Sequence, residues 1–266
     1  MFLYSIARQQ LRHIVIFGIV ILTASLASIS HAAPVIPTLP LMYLEARDQH
    51  DQLRPISPLY QAMFDYFEQD MGVKFEIRRY PWTRLLQHAE NGDGLVWAMT
   101  KNQERLRIFH YSQPIFRRYV WIATRSDASF KFASLADLKG KTLGLVRGAS
   151  YGDDFDQQKG KLFQVEEDVA APAARMKKLI NKRMDVMLFS HRYTTASAVQ
   201  AYLNAEAKNL HLDLPPGVSF SILSKPLLVD DMYFAIRADQ DDGIINTINA
   251  SIARGKRSGE IARLTK

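Results

Sequence analysis

The sequence contains no cysteine among its 266 residues. This absence excludes a structural disulfide, a thiol nucleophile and a zinc site with cysteine ligands. It also excludes an N-terminal cysteine that could carry a lipid anchor. The fold must therefore be held by its apolar core and by its hydrogen bonds.

Signals for metals and for nucleic acids are missing as well. The seven histidines form no His-Glu-x-x-His motif and no i, i+4 pair beside an acid, so we predict neither a metal nor a cofactor. The formal charge is +7, but the lysines and arginines are scattered between acidic residues. Because no stripe of basic and aromatic residues is present to hold a phosphate backbone, we expect no nucleic-acid partner.

The N-terminus carries the pattern of a secretory signal. Arg8 and Arg12 precede an apolar run at residues 14–29, and Ser30-His31-Ala32 supplies small residues before a cut after Ala32. This pattern predicts a cleavable signal peptide over residues 1–32. An uncleaved anchor is the alternative, although the run is shorter than the ~20 residues of a membrane span. Export without a lipid-modified cysteine indicates the periplasm.

The remaining chain alternates between strand and helix patterns. Ser57 and Pro58 mark a helix start, as N-cap and first helical residue, and Gly72 marks its end. Alternating strands and helices predict an α/β fold with mostly parallel sheets. We predict strands at 39–45, 73–80, 95–99, 119–124, 142–146, 162–165, 185–189, 218–223 and 226–236, and helices at 57–71, 82–91, 173–181, 190–207 and 242–266.

One arginine follows a predicted strand where a ligand would be held. The apolar strand Val96-Trp97-Ala98-Met99 ends at Thr100, and Arg105 follows after a short polar turn. In open α/β sheets, ligands lie just beyond the carboxyl ends of the strands. Arginine donates two parallel hydrogen bonds to a carboxylate. Arg105 is therefore a candidate anchor for a small anion, and the alternative is an ion pair with Glu104 or Asp93 that only orders the loop.

Three segments in register resemble the bacterial extracellular solute-binding proteins of family 3, the periplasmic receptors of polar amino-acid importers. Their arginine motif reads roughly Thr-x-Thr-Pro-Glu-Arg, followed by Phe-Ser-x-Pro. The matching residues are Thr100, Glu104, Arg105, Ser112 and Pro114, with Tyr111 in place of the Phe. Pro81-Trp82 through Leu85 is similar to the family's Pro-Trp-x-x-Leu, and Leu135-Ala136-Asp137-Leu138-Lys139-Gly140-Lys141 is similar to its Leu-x-Asp-Leu-x-Gly-Lys.

The resemblance implies a fold and a function. The fold is the two-lobed type II periplasmic-binding-protein fold, with lobe 1 formed by 33–123 and 227–266, lobe 2 inserted at 124–226, and two hinge crossings. The function is capture of a small carboxylate-bearing solute, an amino acid or a related acid, for an inner-membrane ABC permease. We expect a monomer that is not an enzyme.

The resemblance also implies roles for residues of the arginine motif. Arg105 would anchor the ligand carboxylate, and Thr100 would touch it with its hydroxyl. Asn102 stands where the family has a second threonine, and an N-cap is the more plausible role for that amide. Trp82 stands where the family places an aromatic side chain over the ligand, and its alternative role is in the core under the second helix.

Gly148-Ala149-Ser150-Tyr151-Gly152 fits two interpretations. It matches the Gly-x-Ser-x-Gly turn of α/β-hydrolases, for which His191 or His211 would complete a triad. It also lies where family 3 receptors close the carboxylate site from the second lobe. We favour the second interpretation, with Ser150 as a hydrogen-bond donor to the ligand.

Ser190 marks a departure from the family. Receptors for α-amino acids usually carry an aspartate at this position, which pairs with the ligand ammonium. A buried ammonium without a carboxylate is costly. Either the ligand lacks the amine or another acid supplies the charge, and Glu45 at the end of the first strand is our candidate.

Two other functions stay open. A periplasmic dehydratase on the same scaffold would also need a carboxylate-binding arginine, and Glu45 is its only candidate acid. A sensory or partner-binding protein that has lost transport is compatible with the missing aspartate at position 190.

Overall fold

The computed structural model describes residues 36–48, 52–168 and 172–265. The predicted signal peptide, residues 1–32, lies outside them. Among the described helices, none has the length and apolarity to cross a membrane.

Ten strands and seven helices are assigned in the described residues. The strands are β1 Thr38–Leu44, β2 Lys74–Tyr80, β3 Leu95–Met99, β4 Phe109–Tyr111, β5 Phe116–Arg125, β6 Thr142–Val146, β7 Gln164–Asp168, β8 Val186–His191, β9 Phe220–Ile222 and β10 Leu228–Arg237. The helices are α1 Pro58–Met71, α2 Trp82–Asn91, α3 Asp153–Asp156, α4 Pro172–Ile180, α5 Ala196–Asn209, α6 Ile244–Ser258 and α7 Glu260–Thr265.

Local capping sets the bounds of α1. The Ser57 hydroxyl accepts a hydrogen bond from the Tyr60 N–H at 3.3 Å, and Pro58 occupies the first turn, where no N–H is needed. Gly72 ends the helix in the left-handed conformation, with φ of +67°. The predicted start and end of this helix are confirmed.

The sheet is mixed rather than uniformly parallel. Its strand order is β2-β1-β3-β10-β5-β8-β6-β7, with β4 beside β10 and β9 beside β5. The triplets β2-β1-β3 and β8-β6-β7 are parallel, as the alternation predicted. The ten-residue strands β5 and β10 are antiparallel to each other and to the triplets beside them. They therefore join the two parallel halves of the sheet.

The hydrophobic core divides into two groups along the chain. Two clusters draw their residues from 39–116 and 234–264. Two others draw theirs from 119–228. Strands β5 and β10 contribute to both groups, because Phe116 and Phe234 belong to the first group while Val120 and Leu228 belong to the second.

The C-terminal segment forms two helices where one was predicted. Gly259 interrupts it with φ of +78°, and its N–H bonds to the Lys256 carbonyl. Ile245, Ile248 and Ile252 are buried on one side of α6, as their spacing predicted. They belong to the same cluster as the buried face of α1.

Phe234 should dominate the stability of the first core group. Its side chain is fully buried, and its ring centroid lies 5.0 Å from those of both Phe67 and Trp97. Phe234→Ala should lower the free energy of unfolding by about 3–5 kcal/mol in denaturant titration. Val229→Ala on the same strand is the control, because Val229 is 44% exposed, and its effect should stay within about 0.5 kcal/mol. Equal losses would contradict this account of the core.

Candidate ligand-binding site

Arg105 is positioned by a short 3-10 turn that follows β3. The turn comprises Arg105–Arg107, and the Asn102 side-chain oxygen accepts a hydrogen bond from the Arg105 N–H at 2.8 Å. Asn102 therefore caps the turn, which is the role favoured for it from the sequence. The cap holds the Arg105 backbone directly beyond the carboxyl end of β3.

The Arg105 guanidinium is buried without an ionic partner. Only 6% of the residue is exposed, and one N–H group donates to the Thr100 hydroxyl at 3.1 Å. The same side chain reaches the carbonyls of Thr100 at 3.4 Å and Gly148 at 3.5 Å. Among the described residues no carboxylate lies within 4 Å of it: Asp93 pairs with His88, and Glu104 is exposed. The predicted alternative of an ion pair with Glu104 or Asp93 is therefore not seen in the described residues. Burial lowers the pKa of Arg105, which reflects the cost of holding this charge away from water.

Trp82 lies beside the guanidinium. It begins α2, and its indole N–H donates to the Gly148 carbonyl at 2.9 Å. The Arg105 Cζ lies 5.3 Å from the indole centroid, within cation–π range. The same side chain packs partly against the core cluster that contains Leu85. Trp82 is therefore a packing residue that also flanks the candidate anchor, and its position over a ligand stays a prediction.

The loop after β6 brings a backbone carbonyl to this arginine. Gly148 adopts φ of +70°, which a β-carbon disfavours. The Ser150 hydroxyl donates to the Asp156 carboxylate at 2.5 Å, and the Tyr151 N–H points to the same carboxylate at 3.3 Å. Ser150 is therefore bonded to an acid on α3, whereas a hydrolase nucleophile would be bonded to a histidine.

His191, one candidate partner for such a triad, is bonded elsewhere. Its Nδ1 accepts a hydrogen bond from the Tyr193 N–H at 3.1 Å. The ring also stacks on Phe189 with an interplanar angle of 14°. The described geometry therefore assigns His191 to an aromatic cluster at the end of β8.

Strand register places Arg118, Ser190 and Asp230 on one face of the sheet. Ser190 on β8 pairs with Val120 on β5, and Asp230 on β10 pairs with Arg118. Directly opposed residues share a face, and residues two apart along a strand share it too. Val120 lies on this face too, and it belongs to the same core cluster as Tyr151. The three polar residues therefore lie on the side of the sheet that faces the loop of Ser150 and Tyr151.

Arg118 and Asp230 are site residues that sequence reasoning missed. Arg118 donates to the Ser150 carbonyl at 3.2 Å, and its guanidinium lies 3.7 Å from the Asp230 carboxylate. Burial lowers the pKa of Arg118 and raises that of Asp230. Alternation along the strand predicts that Arg118 lies on the same face of the sheet as Val120 and Ile122. The sequence does not reveal which residues contact that face, because this depends on the strand order.

Glu45 is bonded to a neighbouring arginine. It follows β1, and its N–H donates to the Tyr80 carbonyl at 2.9 Å. Its carboxylate accepts two hydrogen bonds from Arg47, at 3.0 and 3.3 Å. The charge offered for a ligand ammonium is therefore already matched by a cation. Among the described residues, no cluster of three or more histidine and acidic side chains is placed to hold a metal.

Comparison with known families identifies the class of protein. The model of the bacterial extracellular solute-binding proteins, family 3, matches residues 61–266. The chain belongs to this family, which consists mainly of binding proteins without enzymatic activity. No curated protein sequence matches the chain.

Solved structures share the fold at low sequence identity. A mutant of ArgBP from T. maritima is 20% identical, with a TM-score of 0.64 over 85% of this chain and 93% of that chain. The GluR0 ligand-binding core from Nostoc punctiforme, in complex with L-glutamate, is 18% identical with a TM-score of 0.64 over 85% and 96%. The ancestral amino-acid-binding protein AncCDT-1, a precursor of cyclohexadienyl dehydratase, is 19% identical with a TM-score of 0.62 over 85% and 93%. These chains confirm the type II periplasmic-binding-protein fold.

His191 should make the protein less stable in acid. Burial, reinforced by Arg192, lowers its pKa from the usual 6.5 to about 4. Between these values the unfolded chain binds a proton that the folded chain does not, so stability is lost as pH falls from 6.5 to 4. After allowance for partial exposure, wild type should lose on the order of 1 kcal/mol more than His191→Gln over this range.

Denaturant titrations at pH 7, 5.5 and 4.5 measure this difference. His211→Asn is the control, because His211 is exposed and asparagine tolerates its φ of +49°. That variant should follow the wild-type pH dependence. Parallel curves for wild type and His191→Gln would contradict the prediction.

Proposed function

We propose that this protein captures a small carboxylate-bearing solute between two lobes and delivers it to an inner-membrane ABC permease. The observation that carries the proposal is the buried Arg105 guanidinium, which within the described part of the chain donates to neutral oxygen atoms and lies beside the Trp82 ring. A carboxylate would supply the missing negative charge and accept two parallel hydrogen bonds. The Thr100 hydroxyl accepts from Arg105, so its own hydrogen is free to donate to the same carboxylate.

The lobes of this proposal are residues 33–123 with 227–266, and residues 124–226. The division of the core into two groups supports two lobes, because each group has its own buried clusters. Residues 119–123 and 227–228 pack in the second group, so the clusters favour lobe boundaries within β5 and β10, a few residues from those predicted. Strands β5 and β10 contribute to both groups and are the proposed hinge crossings. A ligand held by both lobes would shift the population toward a closed state.

Contacts between the proposed lobes support closure around Arg105. The Gly148 carbonyl from lobe 2 accepts hydrogen bonds from Trp82 and Arg105 of lobe 1. At a second place, Arg54 of lobe 1 donates to Glu206 on α5 at 3.0 Å. In this proposal Ser190 faces the ligand from lobe 2, and Trp82 forms one wall. Ser150 was predicted to donate to the ligand, but its hydroxyl hydrogen is directed to Asp156, so its role in this structure is to hold the loop.

The cellular setting follows from the family and the predicted signal peptide. We propose a periplasmic monomer that is exported and is not a lipoprotein. We also propose that it binds its solute without chemical conversion, because Glu45, the one acid considered for a dehydratase, is bonded to Arg47. Transport rather than sensing is the favoured role.

Removal of the guanidinium should abolish ligand recognition. Arg105→Ala should raise the Kd by roughly 30-fold or more, because a buried charge-assisted contact is worth about 2–5 kcal/mol. Mass spectrometry of small molecules released from denatured, freshly purified protein would name the ligand. Calorimetry with that ligand would then measure the affinity.

Arg107→Ala is the matched control for Arg105. Arg107 lies in the same 3-10 turn but is exposed, so its variant should bind like wild type. The proposal is wrong if no amino acid, dicarboxylate or related acid stabilises the protein. It is equally wrong if Arg105→Ala binds as well as wild type.

The ion pair between the proposed lobes should contribute to affinity through closure. Glu206→Gln should raise the Kd by up to about fivefold, because partly exposed ion pairs contribute about 0.2–1 kcal/mol. Glu260→Gln removes a similar pair with Arg263 inside α7 and should leave the Kd unchanged. Identical Kd values for wild type and Glu206→Gln would argue against an Arg54–Glu206 contact specific to the closed state.

A further inference from the structure

We propose that the ligand is an acid without an α-ammonium group, a net anion rather than a zwitterionic amino acid. This inference rests on the proposed function and specifies its substrate class. Three features of the cleft support it: the pairing of its charges, the balance of its donors and acceptors, and the surroundings of Ser190.

The acidic groups near Arg105 already have cationic partners or face solvent. Asp156 forms an ion pair with Lys159 at 2.9 Å, and Asp230 lies 3.7 Å from Arg118. Glu104, in the turn before Arg105, is exposed. Arg105 therefore contributes one unmatched positive charge. A ligand carboxylate neutralises it, whereas a ligand ammonium would restore the excess.

The backbone carbonyls around Arg105 already accept hydrogen bonds, and the carboxylate of Asp230 is held in an ion pair with Arg118. The Gly148 carbonyl accepts from Trp82 and Arg105, which uses both of its lone pairs. The Thr100 carbonyl likewise receives hydrogen bonds from Arg105 and Tyr111.

One arginine donor beside the Ser150 loop has no acceptor among the described residues. The Ser150 carbonyl accepts from Arg118, while the Nε of Arg118 is buried without a hydrogen-bond partner in the described part of the chain. An ammonium would bring three more donors to this site. An amine-free acid brings acceptors and no cationic donor.

The surroundings of Ser190 disfavour a cation as well. Ser190 is directly opposite Val120, so Arg118 is its diagonal neighbour on the same face. Diagonal neighbours across strands are roughly 7–8 Å apart, a distance that long side chains span. Ser190 is exposed in this structure, and a ligand ammonium closed over it would meet a hydroxyl and the positive charge of Arg118, which is ion-paired with Asp230. The same position is compatible with a hydroxyl, carbonyl or second carboxylate of the ligand.

Matched pairs of acids test the inference. The probes are L-glutamate with glutarate, L-phenylalanine with 3-phenylpropionate, and L-leucine with 4-methylpentanoate. Within each pair the α-ammonium is the difference. Calorimetry and thermal shift at pH 7 should give the amine-free member of at least one pair a Kd at least tenfold lower than that of its partner. Arg105→Ala should remove binding of that acid.

Two variants should shift this preference toward the amine. Ser190→Asp supplies a carboxylate where the ammonium would lie, and should change the ratio of the two Kd values by tenfold or more. Arg118→Gln leaves Asp230 without its cation and should change the ratio in the same direction. The second variant keeps the test decisive if the first does not fold. Ser129→Asp adds the same charge beyond the far end of β5 and is the control.

The outcomes separate this inference from the proposed function. Tighter binding of the amine-bearing members by wild type overturns the inference but leaves solute capture intact. An unchanged ratio in both variants overturns the assignment of Ser190 and Arg118. If no probe in any pair binds, both the inference and the proposed function fail.

Discussion

The candidate site depends on one buried positive charge, that of Arg105, with which none of the described carboxylates forms an ion pair. A guanidinium removed from water is costly unless dipoles or an anion replace its hydration. Arg105 is held by a strand-end hydroxyl and two carbonyls, which only partly replace that hydration. The arrangement is fixed in advance by the Asn102 cap and by the Gly148 loop. A charge that is held in place in this way would contribute more to the affinity for a carboxylate, because little of the protein must reorganise on binding.

Local signals predicted the elements that carry this charge. The bounds of α2 and β3 agree with prediction because Pro81 and Gly92 flank the helix and an apolar run forms the strand. Arg105 and Thr100 could be paired from sequence because they are only five residues apart. Arg118 could not be recognised in this way. Its significance comes from a strand order that brings it beside Ser150 and Asp230, and alternation along a strand contains no information on order.

The mixed direction of the sheet was likewise only partly predictable from the sequence. A repeating pattern of strand and helix predicted the parallel triplets, because each crossover helix returns the chain to the same direction. Strands β5 and β10 follow irregular segments instead, and they run antiparallel to their neighbours. Each passes from one group of core clusters to the other. The alternation predicted both segments as strands but contained no information on their direction, and in the proposed function they are the hinge crossings.

The proposed recognition depends on which charged groups of the site have no ion-pair partner. A family anchor for carboxylates does not by itself distinguish an amino acid from its amine-free counterpart, because both present the same carboxylate. Discrimination is a difference between two affinities and arises where the ligands differ. In the proposed site that point is Ser190, with the partly buried Arg118 as its diagonal neighbour, a carbonyl that already accepts from Arg118, and a carboxylate that is ion-paired with it. In the proposed function, one buried cation without an ion-pair partner among the described residues accounts for both expectations: that an anion binds, and that a second cation on the same ligand is rejected.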